Sequence, residues 1–327
     1  RLHLPEQVIT ASNEAMSNLI KHTLALGALL LFAQVARAQQ DPMYTMYFWN
    51  TMAVNPGYAG SADLFTVSAL AREQWVGLDG APSTQTLTLH SPLPNQSLAV
   101  GLSAVHDKVG PVDNTLVYGD FAYRIRVTEK ARLAFGLKAG IDMMQVKLSS
   151  LQNVDLNDPL FAQDLANKAK PNFGFGLYYY SPKGYIGLSA PKLIEQERLQ
   201  VEGNTDVVTG ITQRRHYFLI AGYVFELGRS VKFRPSTLVK AVEGAPISID
   251  LTAMFLLNER LWLGAAYRHE SSMSAIAAYN ITDQLRAGYA YDFTTGELRT
   301  QQSGSHEIML SYDLRFNKDK TLSPRYF

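Results

Sequence analysis

The sequence predicts an all-β protein, a transmembrane antiparallel β-barrel of about 14 strands, on three observations. Long segments alternate between apolar and small or charged residues. The connections between them alternate in length. An export signal precedes them, and no spanning helix follows it. The clearest segment is 130–146, KARLAFGLKAGIDMMQV, with Leu133, Phe135, Leu137, Ala139, Ile141 and Met143 on one side. Arg132, Ala134, Gly136, Lys138, Gly140 and Asp142 fall on the other. Successive strand side chains point to opposite faces, so one face is apolar and the other small or polar. Ordinary strands run to about 5–6 residues, whereas a tilted bilayer crossing takes about 9–11.

The N-terminus reads as a targeting segment. From Met16 a short basic stretch leads to the apolar run TLALGALLLF at 23–32 and then to Ala36-Arg37-Ala38, an A-x-A cleavage site. Residues 1–38 are therefore expected to be an over-extended start plus a signal peptide cleaved after Ala38. No later segment reaches the ~18 consecutive apolar residues of a transmembrane helix. A mean hydropathy of −0.08 suits a barrel, which hides its apolar half in alternation. The 17 Tyr, 15 Phe and 23 Gly make a strand- and turn-rich profile. A net charge of +1 points to no nucleic-acid partner. The absence of cysteine excludes a disulfide framework, a thiolate metal site, a Cys nucleophile and a lipoprotein anchor.

The lead-in 39–62, QQDPMYTMYFWNTMAVNPGYAGSA, is aromatic and apolar without strict alternation. It is expected to pack against protein, at the periplasmic face or inside the lumen. The barrel is expected over 63–316, followed by a periplasmic tail, 317–327. Its candidate strands are 63–76, 83–90, 96–107, 114–127, 131–146, 172–180, 184–190, 213–227, 231–241, 246–257, 260–270, 273–282, 285–293 and 306–316. After every even-numbered strand the link is tight: SPLPN, TEK, SPKG, GRS, NE and DQ. After odd-numbered strands come the long stretches 147–171, 191–212 and 294–305. Short periplasmic turns and long external loops are the mark of an outer-membrane barrel with a periplasmic N-terminus. Tyr178–Tyr180 and Tyr289, Tyr291 and Phe293, at strand ends, suit interfacial aromatic girdles. Loop 147–171 is expected to carry a helical turn over 159–168, and 191–212 to be a flexible external loop.

The chain carries no hydrolase elbow, phosphate loop or H-E-x-x-H helix, and no cofactor is implied. His106-Asp107 is the most suggestive adjacency, but strand neighbours face opposite ways and do not form a dyad. Arg268-His269-Glu270 fails for the same reason. A non-enzymatic role is expected. By parity the inward-facing charges are Arg132, Lys138, Asp142, Asp250, Arg286, Asp292, Glu307, Asp313 and Arg315, and Asp120 joins them. Their mixed signs favour a closed salt-bridge network over an ion-selective pore. On this reading Leu137→Arg costs about 2–4 kcal/mol at mid-bilayer, and Lys138→Gln far less.

Several motifs resemble one family. The lead-in resembles QDPxFSQYxxNxxxxNPAYAGS, with Asn55, Pro56 and Gly60 in place and Gly57 where Ala is usual. REQWVGLDGAPSTQ at 72–85 resembles R-x-Q-W-x-G-x-x-G-A-P-x-T-Q through Arg72, Gln74, Trp75, Gly77, Gly80, Pro82 and Gln85. PNFGFG at 171–176, SHEIMLS at 305–311 and the terminal Ser323, Pro324, Arg325 and Phe327 fit the same pattern. The chain is similar to the PorP/SprF family. That resemblance implies an outer-membrane barrel of the type IX secretion system of Bacteroidota, in contact with outer-membrane lipid and with other secretion components. It also implies a cognate exported partner, adhesin-like and with a C-terminal sorting domain, and in some members gliding motility. The alternative is a substrate channel with 39–62 as its plug. The small, tight loop 77–82 favours constriction of the lumen over a broad docking surface.

Overall fold

The computed structural model describes residues 41–147, 165–200 and 210–314. The targeting segment, the predicted tail and Arg315, Ser323, Pro324, Arg325 and Phe327 lie outside the described residues. So do 148–164 and 201–209 of the two long loops.

Period-2 alternation in Val-, Leu-, Tyr- and Phe-rich segments gives strands, and they close on themselves. In order these are β1 (Phe65–Glu73), β2 (Ser83–Pro92), β3 (Leu98–Val109), β4 (Val112–Arg126), β5 (Arg132–Val146), β6 (Leu165–Tyr180) and β7 (Gly184–Ala190). Then follow β8 (Gln196–Gln200), β9 (Gly210–Gln213), β10 (His216–Tyr223), β11 (Phe225–Glu226), β12 (Val231–Val242) and β13 (Ser248–Leu257). The last are β14 (Leu261–Arg268), β15 (Ser272–Asn280), β16 (Leu285–Thr294) and β17 (Ser305–Leu314). Neighbours pair antiparallel around the ring, β7 with β10, β10 with β12, and β17 back to β1. β10 and β11 are halves of one crossing, interrupted at the buried Val224, so the barrel has 14 strands. Closure leaves no unpaired edge, the condition for a sheet to cross a bilayer.

The alternation resolves into an outer and an inner face. Leu137 is 61 % exposed, whereas Lys138 beside it is 4 % exposed. Leu87, Val100, Phe121, Phe175, Leu251 and Ile308 likewise point outward. No helix among the described residues is long and apolar enough to cross a membrane; the strands do so. At one end, here the turn end, the strands join through tight links such as 181–183 and 258–260. The other, loop end carries the long connections. β4, β5 and β6 have 15, 15 and 16 residues, beyond the roughly 9–11 a crossing needs, and β5 and β6 extend past β7 at the loop end.

Four expectations change. Residues 165–168, assigned to a helical turn, are strand: β6 starts seven residues early because it pairs with the tall β5 up to Leu165↔Val146. The 191–212 loop is structured in part, since β8 and β9 pair as a separate two-stranded ribbon. Gln213 ends that ribbon and does not begin a barrel strand. Tyr178 is no girdle residue; it is buried inside, on Tyr58 and Tyr185, and only Tyr179 of that run faces outward.

Candidate functional site

The barrel interior is occupied by residues 41–63, which descend from the loop end to the turn end before entering β1. Their sequence explains their form. Short 3-10 turns at Tyr47–Trp49 and Pro56–Tyr58 flank one α-helical turn, Thr51–Val54. Asn55 accepts the Gly57 N–H at 2.8 Å, and Pro56 sits at the first helical position, where its missing N–H costs nothing. Met46, Tyr47, Phe48, Met52 and Ala59 are fully buried and form the core with inward residues of the wall.

At the loop end Asp41 accepts Lys192 Nζ at 2.7 Å, and its N–H donates to His216 Nε2 at 3.1 Å. Burial would push the Asp41 carboxyl up, but Lys192 and His216 together hold it well below the usual carboxylate range. One layer deeper, three adjacent strands converge. Arg72 on β1 lies directly across from Glu307 on β17, with Asp292 beside them on β16. Arg72 meets Asp292 at 2.5 Å and Glu307 at 2.9 Å. One cation between two carboxylates leaves a negative excess, and residues of the interior segment meet it. The Thr45 and Met46 N–H groups donate to Glu307 at 2.9 and 2.6 Å, and the Thr45 hydroxyl donates to Asp292 at 2.8 Å. Such charge-assisted bonds are about twice as strong as neutral ones. Nearby, Arg268 holds Asp250 across the β13–β14 pair and reaches the Tyr44 carbonyl at 3.4 Å.

From the turn-end halves of β12, β14 and β16, Arg234 lies over Phe48 at 4.2 Å and Trp262 at 4.6 Å, and Arg286 over Trp49 at 5.0 Å. Lys138 bonds Asp120 at 3.1 Å, Ser103 at 2.8 Å and the Met52 carbonyl at 3.3 Å. Asn50 donates to Thr86 at 3.0 Å. Towards the turn end the Asn55-Pro56-Gly57 backbone lies in a trench of glycines. A Cβ at Gly136 would collide with the Pro56–Gly57 backbone, and one at Gly176 with Asn55. Gly60 needs its left-handed φ of +72° and donates to His90 Nδ1 at 3.1 Å. Arg124 closes this end on the Gly60 carbonyl and Asp63, with Arg132 also on Asp63 at 2.9 Å.

Sequence-predicted residues therefore divide. Asp292 and Glu307 meet in one cluster, and Arg72, known from its motif alone, is its cation. Asp250 pairs with Arg268, and Lys138 with Asp120. Asp142 binds the Tyr118 hydroxyl, Asp313 accepts Thr66, and Arg286 donates to Asn280 at 2.9 Å. Arg132 sits at the turn-end rim. Gln74, Trp75, Gly77, Gly80 and Pro82 form a loop bonded sideways: Val76 exchanges backbone bonds with Ser303 and Gly304, and Gly80 accepts Gly110. Gln85 faces outward and donates to Ser83 at 2.8 Å. His106 bonds Thr115 while Asp107 accepts Thr84, on opposite faces. Arg124, Arg234 and Arg268 were missed. Their parity with Asp120, Ser236 and Ala266 was the available signal.

Among the described residues, cavities of about 20 and 40 Å³ lie beside the segment, one near Trp49, His90 and Asp313, the other near Asp41, Tyr118 and Phe218. A water needs about 10–15 Å³, so each has room for water. Among the described residues no three His, Asp or Glu side chains could hold a metal.

These features define an outer-membrane β-barrel with a packed interior. The family model for the type IX secretion system membrane protein PorP/SprF matches residues 36–312, and the chain belongs to that family. Solved barrels are similar only in broad outline. The CymD monoaromatic hydrocarbon channel has 13 % identity over 83 % of this chain and 94 % of its own, with a TM-score of 0.48. A Pseudomonas aeruginosa FadL homologue has 12 % identity, 77 % and 90 % coverage and a TM-score of 0.44. Acinetobacter baumannii Omp33 has 11 %, 77 % and 98 %, and 0.41. No curated protein sequence matches the chain.

Proposed function

We propose that this protein is a closed, non-enzymatic barrel that binds a cognate exported protein at its extracellular face for secretion or surface attachment. The partner class comes with the family: an adhesin-like protein carrying a C-terminal sorting domain, with gliding as one use. The observation that carries the closed reading is the interior segment, bonded to the wall at the Asp41, Arg72, Lys138 and Arg124 levels. A barrel filled in this way offers its loops, not its lumen, to a protein partner. The loop end is then the cell exterior, since external loops are the long ones.

The experiment has two arms. The purified protein in planar bilayers should show no stable open conductance. Pull-down from outer membranes should recover a large exported protein and other secretion components, and replacing 191–212 by a short linker should lose the exported protein alone. Stable open channels in the intact protein would refute the closed reading. A substrate channel with the segment as a removable hatch is the second reading. The hydroxyl-lined wall of Thr66, Ser68, Thr88 and Ser311 beside the smaller cavity favours it.

A further inference from the structure

The direction of the interior segment carries an inference beyond closure. β1 starts at the turn end, and the residues before it climb the lumen in order. Asp63 is held by Arg124 and Arg132 at the turn end. Asn50 lies on the mid-height Thr86, Thr45 on the Arg72 cluster, and Asp41 on Lys192 and His216 at the loop end. His216 opens β10 and Lys192 lies two residues past the end of β7, so both belong to the loop-end rim. We infer that the segment ahead of β1 climbs the lumen from the periplasmic side and presents Asp41 at the exterior mouth, as part of the surface that the exported protein meets. This rests on the orientation adopted under the proposed function.

The absence of cysteine makes the test direct. A Gly-Ser-Cys insertion ahead of Asp41 is compared with Glu270→Cys on a loop-end turn and Glu129→Cys on a turn-end link, each as the single cysteine. Intact cells are treated with a membrane-impermeant polyethylene-glycol maleimide and the gel shift is read. The inserted cysteine and E270C should shift in intact cells, and E129C only after the outer membrane is permeabilised. A shift of E270C but not of the insertion overturns the inference while leaving the orientation intact. A shift of E129C but not of E270C overturns both. An insertion that reacts only in detergent-denatured protein also overturns it, because that position is then buried and not displayed.

Discussion

Arg72→Met separates a latch from a merely crowded lumen. The substitution keeps most of the side-chain volume and removes the cation between Asp292 and Glu307, at 2.5 and 2.9 Å in a fully buried site. What remains is two carboxylates sharing the Thr45 and Met46 donors with nothing positive between them. Removing one partner of a buried ion pair costs about 3–5 kcal/mol, chiefly because the other charge is left uncompensated. The triple variant Arg72→Met, Asp292→Asn, Glu307→Gln removes the charge problem and should recover to within about 1–2 kcal/mol of the parent, since isosteric replacement of a whole buried network is often nearly neutral. Urea titration of the barrel folded into lipid vesicles, followed by heat-modifiable gel mobility, reads both. A single variant as stable as the parent, or a triple variant no better than the single, would refute the latch.

Four further predictions test the rest of the barrel. Gly136→Ala should cost about 1–3 kcal/mol because its methyl meets the Pro56–Gly57 backbone, whereas Gly119→Ala, with only the Ala139 carbonyl at 3.9 Å, should be tolerated; equal effects in the urea titration would count against the trench. Leu137→Arg should cost about 2–4 kcal/mol on the lipid face. The Asp120 pairing revises the sequence-based expectation for Lys138→Gln, which now should cost as much and be rescued by adding Asp120→Asn; failure of the rescue would sink the pairing. Asp41 has a depressed carboxyl, so its stabilisation is complete above its unfolded value of 3.8 and is lost as pH falls through the folded one. Asp41→Asn should therefore flatten the acid limb of stability against pH, and an unchanged limb would remove Asp41 from the clasp.

The barrel was legible because lipid imposes one rule on every strand: Leu137 out, Lys138 in, repeated wherever a strand crosses. The interior segment was not legible in the same way. It satisfies its backbone through short turns and through wall side chains far away in sequence, such as Glu307 for Met46, and no local period records that. Arg234 was missed because a cation lying on Phe48 and Trp262 has no cross-strand acid to announce it. Arg72 was noticed as part of a motif, but its charge partners are more than 200 residues away. The β8–β9 ribbon was hidden by a polar composition that reads as loop.

The seam between β1 and β17 has a consequence for assembly. The segment ahead of β1 is anchored by Glu307 of β17, across a sequence separation of 262. Until β17 arrives, the Thr45 and Met46 N–H groups lack their acceptor and Arg72 lacks half its counter-charge. Docking the final strand therefore closes the cylinder and completes the Arg72 latch in one step. A chain stalled one strand short would be open at its side, its interior segment still held at the Asp41, Lys138 and Arg124 levels but not by Glu307.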